Sequence, residues 1–192
     1  MNASPCITID TREPWPHPWA PFWPADVTLT RACLETGDVA LAGAPEGAVV
    51  ERKTVPDLLA CIGRDRARFD RELLRARYVG VFAVVVEGTL ADVLRQARGL
   101  YPVAILGTLA AWTRRGWPVV FCGNQPTAAE FALRFVTQPL AEAERLLKAN
   151  SRAQPTLNGT SRNGALETFS PTEPAFAGTN RLAQLQKTNA TA

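Results

Sequence analysis

The sequence predicts an α/β domain, a mixed β-sheet flanked by helices, on three observations. Short β-branched and apolar segments are separated by Gly37, Gly43 and Gly47 in the first third of the chain. Val81 to Val86 is an unbroken apolar run between Gly80 and Gly88, the pattern of a central strand buried on both faces. Several later segments repeat apolar residues at helical spacing.

Cys6 to Asp10 reads as the first strand, and the run from Pro14 to Pro24 is irregular because prolines at 14, 16, 18, 21 and 24 exclude a helix. Strands follow at Val27 to Leu34, Asp38 to Leu41 and Ala48 to Lys53, expected to form an antiparallel meander. Pro56 suits the first turn of a helix capped by Thr54, with Leu58, Leu59 and Ile62 on its apolar side. A second helix is expected over Arg66 to Arg77, with Phe69 and Leu73 facing the core. Helices at Leu90 to Ala97 and Val103 to Arg114, a strand at Pro118 to Cys122, and a helix from Thr127 to about Lys148 complete the layout.

Composition sets the domain boundary. The stretch up to residue 150 holds the apolar content of one folded domain, whereas 151–192 shifts to Ser, Thr, Asn, Gln, Gly and Pro. Such a segment buries too little apolar surface to offset its ordering entropy, so it reads as a disordered tail with a short helical stretch near Arg181 to Gln186. The four cysteines, at 6, 33, 61 and 122, have neither disulfide-framework nor zinc-ligand spacing and read as buried small hydrophobes in a reducing, cytoplasmic setting. No apolar run is long enough to span a bilayer, and the start of the chain lacks a signal-peptide pattern.

Net charge is +3, too mild to identify a nucleic-acid partner by itself. Distribution says more, because Arg52, Lys53 and six further arginines crowd into residues 52–77. Arg64, Arg68, Arg71 and Arg75 fall at spacings of four, three and four, one helical face if the helix is continuous. That stripe fits a DNA backbone contact or a solvated face equally well.

The chemistry concentrates in Gly37-Asp38 and Glu51-Arg52-Lys53. Side chains two apart on a strand share a face, so Glu51 and Lys53 project together, Arg52 points the other way, and Asp38 on the neighbouring strand meets the first two. Two converging carboxylates make a hard oxygen site for magnesium, which keeps several waters and accepts a phosphate oxygen. A lysine beside them orients the attacking water or offsets charge on a scissile phosphate. Alternating charges are common on exposed strands, but this strand is apolar before Glu51 and leads straight into a buried helix, so charges there need a reason.

These residues resemble the nuclease domain of the XPF-type structure-specific endonucleases, a branch of the restriction-endonuclease-like superfamily. The signature Gly-Asp, a variable gap, then Glu-Arg-Lys, three residues, Asp is matched by Gly37-Asp38, Glu51-Arg52-Lys53 and Asp57. Ile9-Asp10-Thr11-Arg12-Glu13 resembles the family's first-strand motif, and the likeness runs over roughly residues 5 to 140. The resemblance implies a restriction-endonuclease-like fold and a magnesium-dependent DNA endonuclease, with manganese as a substitute. It implies Asp38 and Glu51 as metal ligands, Lys53 as the catalytic lysine, Asp10 as a further acidic ligand or water-mediated contact and Arg12 as a phosphate contact. Arg52 and Asp57 would belong to the active-site shell, Arg52 pairing with Asp57 or bracing the sheet. DNA is the implied partner, and a homodimer through the nuclease domain is implied too, for which the apolar helices around Ile105 to Trp112 and Phe131 to Val136 are either the surface or equally well core.

The chain departs from the better-known relatives, which append a tandem helix-hairpin-helix module and follow the first-strand motif with a helix. It is similar to compact single-domain versions in bacteria and their viruses. The leading expectation is therefore cleavage of branched or structured DNA in repair or recombination. A catalytically silent DNA-binding or adaptor module is the alternative, against which stands the retention of Asp38, Glu51, Lys53 and Asp57. A site-specific restriction enzyme would need a base-reading element that the sequence does not display. Exposed aromatics of the segment Trp15, His17, Trp19, Phe22 and Trp23 could stack on bases, but packing onto the domain is the simpler reading. Glu13 reads equally as a solvated loop charge or a functional one.

Overall fold

A computed structural model describes residues 4–153. Six strands form one mixed sheet: β1 (Cys6–Asp10), β2 (Thr28–Ala32), β3 (Val39–Leu41), β4 (Ala48–Lys53), β5 (Val81–Val86) and β6 (Val119–Phe121), in the order β2-β1-β3-β4-β5-β6. Five helices accompany them: α1 (Val55–Ile62), α2 (Arg66–Arg75), α3 (Leu90–Gln96), α4 (Pro102–Arg114) and α5 (Gln125–Ala153). The expected tail 151–192, with its helical stretch at 181–186, lies outside the described residues except where α5 continues to Ala153.

The antiparallel meander is corrected. β2 pairs parallel to β1 at the sheet edge, and β3 inserts antiparallel between β1 and β4. Burial explains the exchange: Val39, Ala40 and Leu41 are all buried and take an interior place, whereas Thr-Leu-Thr-Arg-Ala of β2 is largely exposed and suits an edge. β5 is internal and parallel to both β4 and β6, as its apolar run requires.

Strand alternation sorts the core into two layers. Val49, Val84 and Val86 face α1 to α4, where Leu58, Phe69, Leu73, Ile105 and Trp112 are buried. Val50, Ala83 and Val85 face the opposite layer, built from Trp19, Trp23 and the Ala128, Ala129 and Ala132 face of α5. The proline-rich segment thus packs onto the domain, with one 3-10 turn at Ala20–Phe22 and with Trp23 Nε1 donating to the Ala129 carbonyl (2.8 Å). Trp15 and Phe22 remain exposed.

Of the two readings of the apolar helices, core or dimer surface, the core takes Ile105, Leu109 and Trp112, and likewise Ala132, Leu133 and Val136. The apolar residues left exposed around α4 are Tyr101, Val103 and Leu106. Of the cysteines, only Cys61 is fully buried and Cys33 is exposed.

Candidate active site

The hairpin of β3 and β4 positions the acidic pair. Its register matches Val39 with Val50 and Ala40 with Val49, and one further step sets Asp38 across from Glu51. Asp38 donates its N–H to the Val50 carbonyl (2.8 Å) and accepts the main-chain N–H of Arg52 on Oδ2 (2.7 Å). Gly37 makes this possible, with φ at +74° and a hypothetical Cβ only 2.2 Å from Val49 Cγ1. Glycine at position 37 is therefore a steric requirement of the hairpin.

Glu51 and Lys53 share the face turned toward α1 and α2, as alternation predicts. The Glu51 carboxylate is 2% exposed; Oε1 accepts from Lys53 Nζ, and Oε2 is buried without a hydrogen-bond partner. Lys53 Nζ also lies 5.1 Å from the centre of the Phe69 ring. Burial pushes the Glu51 carboxyl up to about 7, against the pull of Lys53. Asp38 is raised well above its ordinary value by burial and by the Glu51 charge. Burial alone would lower the Lys53 ammonium, but Glu51 and Asp38 outweigh it and hold it above its usual range.

These side chains line a cleft of about 480 Å³. Asp57 borders it from the first turn of α1, where Thr54 Oγ1 accepts the Asp57 N–H (3.3 Å) and donates to its carboxylate (2.6 Å). That capping pair begins α1 directly after β4. Arg68, Arg71 and Arg75 of α2 form the opposing wall, together with Glu72. Arg64 does not join them: α2 starts at Arg66, and Arg64 sits in the preceding turn beside Asp65, so the helix assumed for a four-arginine stripe is not continuous.

Asp10 is not placed as a metal ligand. It is fully buried and does not line the cleft, and its oxygens are taken by the main-chain N–H groups of Arg12 (2.8 Å) and Leu34 (2.7 Å) and by the Arg12 guanidinium. Burial pushes its carboxyl up, and those donors more than offset it, so it stays below its usual value. Arg12 does reach the cleft, with a side chain 56% exposed.

Arg52 faces away, as expected, but its partner is Glu87 at the end of β5 (2.8 and 3.2 Å) and not Asp57. Glu87 also accepts from Trp19 Nε1 (2.6 Å), so the pair ties the sheet to the aromatic segment. Glu13 lines the cleft, with His17 Nε2 at 3.4 Å and Arg52 Nη1 at 3.6 Å from its Oε2. Sequence reasoning missed Glu72 and the anchoring role of Glu87. For Glu87 the signal was present, since a charge closing a buried apolar strand needs a partner.

Whether these residues fit a divalent cation is answered by the donor set. Among the described residues no three His, Cys, Asp or Glu side chains gather into a metal cluster, so Asp38 and Glu51 would act as a pair. Magnesium is commonly held by one or two carboxylates with waters and phosphate oxygens completing the shell, and the orphaned Glu51 Oε2 is a ligand in waiting. The residues fit.

A mixed sheet that brings two carboxylates and a lysine together at the ends of β3 and β4, beneath a wall of arginines, defines a restriction-endonuclease-like domain of the XPF nuclease type. The chain belongs to the ERCC4-domain family, whose model matches residues 9–135. Among solved structures it is similar to XPF from Aeropyrum pernix, at 19% identity over 80% of this chain and 76% of that one, with a TM-score of 0.57. The XPF from Aeropyrum pernix in complex with DNA matches at 21% identity, 79% and 68% coverage and a TM-score of 0.53. At such identities the likeness is one of fold. No match is found among curated protein sequences.

Proposed function

We propose that this chain is a magnesium-dependent endonuclease that hydrolyses phosphodiester bonds in branched or structured DNA. The observation that carries the reading is the buried, unpartnered Oε2 of Glu51, which lines with Asp38 a cleft that also holds arginines. Burial raises both carboxyls, and the Glu51 charge raises Asp38 further, so a cation bound by the pair would offset a real cost. A divalent cation bound by Asp38 and Glu51 would supply Lewis-acid contact to a phosphate oxygen and a water of lowered pKa.

The chain's own groups account for the remaining work. Glu51 and Asp38 hold the Lys53 ammonium above its usual range, which suits it to act as a cationic donor. Placed against the scissile phosphate, its ammonium offsets the negative charge that grows as water forms the new P–O bond and the strand oxygen leaves. Arg68, Arg71 and Arg12 hold flanking phosphates, which positions the strand without reading its sequence. Among the described residues Arg68 and Arg71 have no ion-pair partner, so their guanidinium groups are free for this. The DNA complex of the Aeropyrum pernix XPF supports DNA as the partner.

A homodimer through the exposed Tyr101, Val103 and Leu106 belongs to the same proposal, and sedimentation of the purified chain tests it. The decisive experiment is cleavage of flap, fork, four-way junction, single-stranded and duplex DNA with magnesium, manganese or chelator. Metal-dependent cutting of the junction substrates is expected; no cutting of any substrate in either metal overturns the reading.

A further inference from the structure

We propose that a second pocket beside the cleft receives an unpaired nucleobase of the strand being cut, an inference that rests on the endonuclease reading. The pocket is about 410 Å³ and is lined by Leu34, Val79, Glu35, Glu46, Arg75 and Tyr78 among others. That volume lies in the range of small-ligand sites, roughly 300–1,000 Å³.

Three links join pocket and cleft. Arg75 lines both. Arg12, a cleft residue, donates to the Leu34 carbonyl (2.9 Å) while Asp10 accepts the Leu34 N–H (2.7 Å), which fixes the pocket wall to the first-strand motif. On the pocket side, the Thr36 hydroxyl donates to the main-chain carbonyl of Glu72 (3.4 Å), whose residue lines the cleft. Arg75, whose Nε donates to the Glu35 carbonyl (3.2 Å), is the side chain shared by the two, so a strand phosphate held there would bring its neighbouring base to the pocket.

The chemistry selects a base over a phosphate. Tyr78 is 84% exposed, a large ring left without a stacking partner among the described residues. Such a ring is a platform for a nucleobase, whose stacking is sequence-tolerant. Glu35 and Glu46 are exposed carboxylates without side-chain partners among the described residues. They repel phosphate but accept hydrogen bonds from an exocyclic amine, so cytosine, adenine or guanine enters in preference to thymine.

The test uses the full chain in calcium, with two duplexes that differ by a single bulged 2-aminopurine. Tighter binding of the bulge by about tenfold is expected from stacking, with quenching of its fluorescence on binding. Tyr78→Ala should abolish both effects and leave paired-duplex affinity unchanged, while Tyr78→Phe keeps them. Glu35→Gln with Glu46→Gln should narrow the preference for a bulged cytosine over a bulged thymine. Equal binding of the two duplexes, with both cut in magnesium, overturns this inference alone, as does a bulge preference that survives Tyr78→Ala. Failure of both duplexes to bind overturns the endonuclease reading and this inference together.

Discussion

Asp38 accepts the main-chain N–H of Arg52 at 2.7 Å, so one strand of the hairpin holds the carboxylate carried by the other. Asp38 lines the cleft, while the guanidinium of Arg52 pairs with Glu87. Backbone geometry, and not a side-chain network, therefore spaces Asp38 from Glu51.

Asp38→Asn and Glu51→Gln should each lower cleavage at least about a thousandfold while leaving far-UV circular dichroism unchanged. Each removes a negative ligand at nearly constant volume, and a catalytic cation is worth several kcal/mol, with about 1.4 kcal/mol per factor of ten. Magnesium affinity by calorimetry should fall with the rate. Cleavage at the wild-type rate by either variant would remove the metal site from this pair.

Lys53→Met keeps an aliphatic stem beside Phe69 and deletes the charge. The turnover rate in single-turnover assays should drop about a hundredfold or more, with DNA affinity changed by less than threefold, because the ammonium acts on charge that appears only in the transition state. Normal chemistry with weakened binding would make Lys53 a phosphate anchor.

The elements governed by side-chain period were legible in the sequence. Val81 to Val86 became the buried β5, and the two-residue step placed Glu51 and Lys53 on one face with Arg52 on the other. What escaped depends on partners far away in the chain. Strand alternation does not reveal that Thr28–Ala32 runs parallel to β1, because a parallel edge strand and an antiparallel one read alike. The fate of Asp10 is decided by the main chain at Leu34, 24 residues on, and that of Arg52 by Glu87, 35 residues on. Arg64 leaves the helical stripe because Gly63 and Asp65 break the helix that spacing alone would continue.

Asp10→Asn tests the corrected role. A buried carboxylate that accepts two main-chain N–H groups and a guanidinium should cost about 2–4 kcal/mol when neutralised, while the magnesium affinity of the folded protein stays within about twofold. The sign of the pH dependence follows from its lowered pKa. Its stabilisation is present above the ordinary carboxyl value of 3.8 and is lost as pH falls through the still lower folded value. Wild-type melting temperature should therefore fall more steeply than that of Asp10→Asn below about pH 4. Parallel acid limbs, or a large loss of metal affinity, would return Asp10 to the metal site.

The arginine wall gives the last prediction. Arg68 and Arg71 line the cleft opposite the acidic pair, whereas Arg64 lies outside it beside Asp65, so the three form an internal control on a short stretch of chain. Phosphate contacts release counterions from DNA, and each one lost should flatten the slope of log affinity against log salt by about 0.9 on duplex and about 0.7 on single strands. Replacing Arg68 and Arg71 with Gln keeps helix propensity nearly constant, so α2 should persist. With cleavage suppressed by Asp38→Asn, Arg68→Gln and Arg71→Gln should each flatten the slope and weaken binding alike on unrelated sequences, because phosphates carry no base identity. Arg64→Gln should leave the slope as it is. Unchanged slopes for Arg68→Gln and Arg71→Gln would make the wall a solvated helix face, and a flattened slope for Arg64→Gln would extend the DNA path past the start of α2.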